Sequence, residues 1–372
     1  MPIDPLLRAS AHEFSPYKPG TSVAQARERY GLEHFVKLSQ NENPLGTSPR
    51  AVAAVAAISG YSDYFEDDHL ALRERLANLR GLTSDYVILG HGSNELLSIA
   101  FSAFVDPGED VVMAKPTFAL YRKDADIAGA HAIEVPLRDG VHDLPAMLAA
   151  VTPRTKLVFV CDPNNPTGTR VQREDFARFA EALPSHVLLV VDQAYIEFAD
   201  AQSTDASALM KWHARTLSLR TASKIYGLAS IRFGYGYAPP EIITWMNRVR
   251  VPYNVARPAA AAVNAALDDE DFIRRSIENN ERGKAFLYAE FERLGLHAYP
   301  TAANFVALEV PCEAGVAYEG LLSKGVIVRS GDGLNMPRRI RVTIGKPQEN
   351  QAFIAALEPL LAQWRSRVGA AH

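Results

Sequence analysis

Cysteine is close to absent from this chain: its two residues, Cys161 and Cys312, stand far apart with no CxxC spacing. That excludes a disulfide framework and a cysteine-based metal site, and it suits a reducing compartment. The ten histidines form no HxxxH or HxH pair, so metal catalysis finds no support in the spacing. Long apolar runs are missing as well. No stretch of about 18 consecutive apolar residues occurs, as a membrane-spanning helix would need, and MPIDPLLRASAHEFSPYKPG lacks the apolar core of a signal peptide. A cytoplasmic protein is expected. Nor is there an excess of positive charge: 39 Lys and Arg against 43 Asp and Glu leave a net charge of -4. Without a basic face or tail to neutralise phosphates, a nucleic-acid partner is not expected, and small metabolites are the better candidates for ligands.

What is present is ordinary globular composition, 48% hydrophobic and 22% charged, in 372 residues. That is too long for one small core and allows two or three domains, or one large domain with an appendage. From about residue 84 to 238, short apolar runs (YVILG, DVVMA, HAIEVPL, KLVFVC, VLLVVD, TLSLR, FGYGYA) alternate with amphipathic helical segments such as NELLSIAFSAFV and REDFARFAEAL. Unbroken apolar strands separated by helices predict an α/β fold with a mostly parallel seven-stranded sheet covered on both faces. Ligands bind such sheets at the carboxyl ends of the strands. After residue 257 the pattern changes to a long helical stretch, then the strands NFVALEV and RRIRVTIG with a helix between them, and a closing helix ENQAFIAALEPLLAQWRSRV. The expected organisation is an arm with a first loop over 1–45, a large domain over 46–257 and a smaller C-terminal α/β domain over 258–372. The arm carries little strand signal and includes Pro16, Pro19 and Gly20.

Polar residues collect at the predicted strand ends. KLVFVC runs into DPNNPTG, whose turn-forming residues put Asn165 in the loop after the strand; VLLVVD ends in Asp192, with Tyr195 three residues on. TLSLRTASK delivers Lys224 in the same position, within the small, apolar and aromatic run TASKIYGLASIRFGYGYA, and Arg232 follows eight residues later. Singly, each has a plain structural reading: the lysine snorkels, NNPTG is a turn, Asp192 caps a helix, Tyr195 packs. Their occurrence together, in this order and on one rim, points to a catalytic site.

The set NNPTG, DQAY, TASK and the arginine in GLASIRFGYG resembles the aminotransferases of fold type I, enzymes that use pyridoxal 5'-phosphate (PLP). The resemblance implies that Lys224 forms the Schiff base with the PLP aldehyde and that Asp192 pairs with the pyridinium nitrogen. A carboxylate there keeps the nitrogen protonated, so that the ring accepts electrons released at the substrate Cα. A desolvated lysine beside a cation has its ammonium disfavoured and can act as a base. Asn165 and Tyr195 match the residues that bond the phenolic oxygen, and Phe118 in AKPTFALY matches the aromatic that stacks on the ring. Ser93 and Asn94 in GHGSNE, Thr221, Ser223 and Arg232 match the phosphate cup.

SPYKPG followed by KLSQNENPLGTSP is similar to the arm and first active-site loop of histidinol-phosphate aminotransferases. SDYFEDDHLALRERLA resembles the segment whose tyrosine, here Tyr64, reaches the partner subunit's PLP phosphate, implying a homodimer with shared active sites. Arg329 in GVIVRSG, Arg341 in RIRVTIG and Tyr17 match the residues that hold the substrate's phosphate or second carboxylate, with Asn165 also facing the substrate. Arg339 shares strand parity with Arg341, and the RxTxG pattern favours Arg341. The chain departs from the subfamily at Gln193, where glutamate is usual, in TASKIYGLAS, and in putting Arg257 before a helix. These departures leave open an aromatic amino acid aminotransferase, and the shared cofactor site leaves open a decarboxylase of the threonine-phosphate type. Two other readings find less support. Nothing in the first eighty residues reads as the DNA-binding helix of a PLP-fold regulator. LGHGSN lacks the third glycine of a dinucleotide loop, and the acids Glu109 and Asp110 precede the next strand rather than end it.

Overall fold

A computed structural model describes residues 20–65 and 67–369. The chain first forms the helix Val23–Tyr30, closed at its start by a capping box between Ser22 and Gln25 and at its end by Gly31 with φ 66°. A two-residue strand β1 (Val36–Lys37) follows.

The large sheet holds β2 (Val87–Gly90), β3 (Asp110–Lys115), β4 (His131–Pro136), β5 (Thr155–Cys161), β6 (Leu188–Asp192), β7 (Thr216–Thr221) and β8 (Gly234–Tyr237). Their order is β2-β8-β7-β6-β5-β3-β4. Only β8 runs against its neighbours, so the seven predicted strands and the mostly parallel sheet are all found. Alternation along β5 explains why these runs are apolar throughout. Leu157, Phe159 and Cys161 face one layer with Leu97, Phe101 and Tyr121, while Val158 and Val160 face another with Phe176, Phe179 and Met147. Each such side chain removed from water contributes about 1.5–3 kcal/mol, before the cost of ordering the chain.

Beyond the long helices lies the smaller sheet. It holds β9 (Phe305–Glu309), then, after β10 (Val326–Ile327), β11 (Arg329–Ser330) and β12 (Arg339–Thr343), in the antiparallel order β11-β12-β9. β10 pairs instead with β1, so the N-terminal segment, which sequence reads as an arm with little strand signal, adds a strand beside the C-terminal core. The predicted single helical stretch from residue 257 is two helices, Arg257–Ala266 and Glu270–Arg293. The break falls at Asp269, whose carboxylate caps Phe272 N and accepts from Ser48 Oγ at 2.6 Å. The first of the two packs with Ala51, Leu76 and Tyr235 beneath the large sheet. No helix among the described residues is long and apolar enough to cross a membrane.

One close approach fixes how the large sheet meets its first helix. At Gly234, where β8 begins, a Cβ would lie 2.2 Å from Ser93 N and 2.4 Å from Gly92 C, both backbone atoms with nowhere to retreat. Gly234→Ala is therefore predicted to destabilise the protein by about 1–3 kcal/mol, read as a lower urea midpoint. An unchanged midpoint would show that strand and helix separate without cost.

Candidate active site

The carboxyl ends of β5, β6 and β7 open into a cavity of about 790 Å³. Its walls also come from the start of the helix Ser93–Phe104, from Thr117–Leu120, from the N-terminal segment Ser39–Glu42, and from Arg329 and Arg341 of the smaller sheet.

The turn NNPTG divides its work. Asn164 is buried and knits the loop: its Nδ2 donates to Pro116 O and Thr167 Oγ1, and its Oδ1 accepts from Thr117 Oγ1. Asn165 instead faces the cavity, where its Oδ1 accepts from Arg341 Nη1 at 2.7 Å.

Asp192 ends β6 almost wholly buried, and burial pushes its carboxyl up. Its hydrogen bonds are two neutral donors, Tyr121 Oη to Oδ2 at 2.8 Å and Ala194 N to Oδ1 at 3.1 Å. A buried acid partnered this way gains most from a cation docked beside it. Lys224 Nζ, on the cavity wall after β7, donates to Gln40 O at 3.2 Å and lies 5.7 Å from the ring of Tyr195. Burial first, then the positive charge of Arg341 and Arg232, pushes this amine down to about 8 against the opposing pull of Glu42 and Asp192. Tyr195 Oη accepts from Asn41 Nδ2 at 3.0 Å, and burial pushes the phenol up to about 12.

An anion cradle occupies one side. Ser93 and Asn94 open their helix with backbone N–H groups, and Thr221 and Ser223 bring hydroxyls that bond each other at 3.0 Å. Arg232 stands in the left-handed region at φ 58°, a costly conformation for a non-glycine residue. Its guanidinium lies so close to Gly92 that a Cβ there would meet Nη2 at 2.5 Å. Donors, hydroxyls and a fixed guanidinium with no acid among them fit a phosphate group, and the buried Asp192 fits a ring cation.

On the other side, Arg329 and Arg341 stand directly opposite each other across the β11–β12 ladder, and both line the cavity. Like charges so placed repel, and an anion between them relieves that repulsion. Arg341 Nη2 also donates to Ser39 O at 2.9 Å. Arg339 is engaged elsewhere, with Glu309 at 2.7 Å and over the ring of Tyr299 at 3.9 Å.

Of the residues singled out from sequence, Ser93, Asn94, Phe118, Asn165, Asp192, Tyr195, Thr221, Ser223, Lys224, Arg232, Arg329 and Arg341 all line the one cavity. Tyr64 does not: it is exposed, its ring 4.5 Å from that of Tyr253. Tyr17 lies outside the described residues. Gln193 is buried away from the cavity, its Nε2 donating to Thr204 O and its Oε1 accepting from Ala206 N. Arg257 is exposed and donates to Asp63 O at 3.1 Å. Sequence reasoning missed Asn41, Glu42 and Tyr121 as individual residues. The first two sit inside the quoted QNENPLG loop, and Tyr121 lies one helical turn beyond Phe118, a spacing that puts both on one face.

The chain belongs to the class I and II aminotransferase family, whose sequence model matches residues 33–357. It is 43% identical over 361 residues to a histidinol-phosphate aminotransferase of Moorella thermoacetica, covering 96% of this chain and 94% of that one. It is 44% identical to histidinol-phosphate aminotransferase 2 of Ralstonia nicotianae, covering 94% and 95%. Among solved structures, histidinol-phosphate aminotransferase from Sinorhizobium meliloti in complex with pyridoxal-5'-phosphate superposes with a TM-score of 0.87 at 26% identity, covering 96% of this chain and 98% of that one. An aspartate aminotransferase of Thermus thermophilus with maleate gives 0.84 at 25%, covering 95% and 99%. The fold is that of the fold type I PLP-dependent aminotransferases.

The environment of Lys224 predicts that its acylation by an amine-directed reagent in the cofactor-free protein rises through about pH 8, well below the 10.5 of an unperturbed lysine. Peptide mapping across pH reads this directly; Lys224 reacting in step with the exposed lysines would contradict the electrostatics described.

Proposed function

We propose that the protein is a PLP-dependent aminotransferase that exchanges an amino group between L-histidinol phosphate and 2-oxoglutarate. The observation that carries the substrate half is the pair of opposed arginines, Arg329 and Arg341, on the same cavity as Lys224 and the buried Asp192. Planar, always-charged donors suit a phosphate, or the second carboxylate of the acceptor. Bound PLP supplies an aldehyde that bonds amines and a ring that accepts electrons.

The chain's own side chains do the rest. Lys224 would hold the cofactor at its aldehyde, and its amine, kept from full protonation by burial and by the positive charge of Arg341 and Arg232, would be the base that moves the proton at the substrate Cα. Asp192 would set its negative charge against the ring nitrogen, Asn165 and Tyr195 would hold the phenolic oxygen, and Phe118 would cover the ring. Ser93, Asn94, Thr221, Ser223 and Arg232 take the cofactor's phosphate, while Arg329, Arg341 and Tyr17 take the substrate's anionic end, with Asn165 bridging the two groups through Arg341.

We further propose a homodimer in which Tyr64 completes the partner's phosphate cup, a role that suits an exposed tyrosine on a surface with exposed Tyr61, Val251 and Tyr253. We place the enzyme in the cytoplasm. We propose the division into an arm with a first loop over 1–45, a large domain over 46–257 and a smaller domain over 258–372; near the last boundary, Ala259–Ala266 pack with Ala51, Leu76 and Tyr235, and Leu287 and Phe291 pack with the smaller sheet.

Lys224→Ala is predicted to abolish turnover and leave the melting temperature of the cofactor-free protein near that of wild type; retained transamination would end the proposed role. Arg341→Ala is predicted to raise KM for histidinol phosphate roughly 10- to 100-fold and to leave histidinol, which lacks the phosphate, nearly unaffected. Equal losses on both would mean that Arg341 does not read the anion. Phenylalanine turned over faster than histidinol phosphate would assign an aromatic aminotransferase, and CO2 release without amino transfer a decarboxylase. Mixing Lys224→Ala with Tyr64→Ala subunits is predicted to restore more activity than the two variants show separately, since one site of each mixed dimer is intact. No gain on mixing would argue against sharing of sites between subunits.

A further inference from the structure

Asp192 continues the alternation of Leu188 and Val190 along β6 and so points to the sheet face on which Tyr121 packs. Tyr121 is fully buried, with its ring stacked on Phe159 at 4.8 Å and 14° and meeting Phe118 edge-on at 5.6 Å. Its hydroxyl has no water to turn to. It sits between the carboxylate of Asp192 and the thiol of Cys161, which are direct partners across the β5–β6 ladder. The phenol stays protonated at any working pH, because burial and the adjacent Asp192 push it well above its ordinary value. It is therefore a fixed donor, and a donor on a carboxylate favours the charged form that burial opposes.

We propose that Tyr121 is a positioning residue for the cofactor, its hydroxyl holding the Asp192 carboxylate ionised and in the one orientation that presents it to the ring nitrogen. This rests on the reading of Asp192 as the partner of that nitrogen. Phe118 and Tyr121 lie one turn apart on the same stretch of chain, so one element would both cover the ring and hold the carboxylate that meets its nitrogen. The helix Ala119–Ala128 thereby becomes part of the cofactor site without Tyr121 needing to touch the cofactor.

The test is Tyr121→Phe, which removes the hydroxyl and keeps the stacked ring. PLP affinity, measured by equilibrium dialysis, is expected to weaken about tenfold, the effect of losing one hydrogen bond to a charged group, and the absorption band of the bound cofactor is expected to move. In an Asp192→Asn background, where there is no carboxylate to hold ionised, the same substitution is expected to change affinity little. Unchanged affinity and spectrum in Tyr121→Phe, or an equal loss in both backgrounds, overturns the proposal and leaves Tyr121 a packing residue. An Asp192→Asn protein that binds PLP as wild type does overturns instead the reading of Asp192 on which this rests. Should Tyr121→Phe not fold, 3-fluorotyrosine at position 121 keeps ring and hydroxyl and strengthens the donor. A shift of the bound cofactor's absorption band relative to the wild-type protein is then expected, and no shift overturns the proposal.

Discussion

A parallel sheet covered by helices on both faces has nowhere to do chemistry except where its strands run out, and every functional arrangement here answers to that constraint. Side chains within β5, β6 and β7 are committed alternately to the two buried layers. At Cys161, Asp192 and Thr221 the strands stop, and the loops that follow carry Asn165, Tyr195 and Lys224 onto one rim. The sheet holds those ends at fixed separations, so groups from three distant parts of the sequence meet without any of the loops needing to be long.

The second consequence is electrostatic. Among the described residues lining the cavity, four cationic side chains, Lys224, Arg232, Arg329 and Arg341, face two carboxylates, Glu42 and Asp192. That imbalance adds to burial in depressing the Lys224 amine and leaves the cavity attractive to anions at two places, the cup around Arg232 and the opposed pair on β11 and β12. A molecule with a phosphate at each end of the reacting centre, one from the cofactor and one from the donor, matches that distribution.

Much of this could be read from the sequence, and the reasons for what could not are physical. The seven strands announce themselves because a strand buried on both faces must be apolar at every position. The rim residues announce themselves because polar groups after such strands have few structural excuses. The strands β1, β10 and β11 are two residues each, too short to show any period, and pairing across the chain creates them rather than local preference. The break at Asp269 hides in DDED, which reads equally as helix surface or as a cap until Ser48 arrives from more than two hundred residues away. Tyr121 hides because a buried tyrosine in a helix looks like core, which it also is. NNPTG reads equally as turn and as site, and both descriptions hold, one for Asn164 and the other for Asn165.

Gln193, a departure from the subfamily that leaves the catalytic positions untouched, is a structural fastening in the fold. Its amide offers a donor to Thr204 O and an acceptor to Ala206 N at once, a pairing that a carboxylate cannot supply because it has no proton to give the carbonyl. Glutamate at position 193 could still accept from Ala206 N, but its ionised carboxylate would leave Thr204 O without a donor in a buried place, so the side-chain amide rather than its charge-bearing isostere is what holds the backbone of 204–206 against the end of β6.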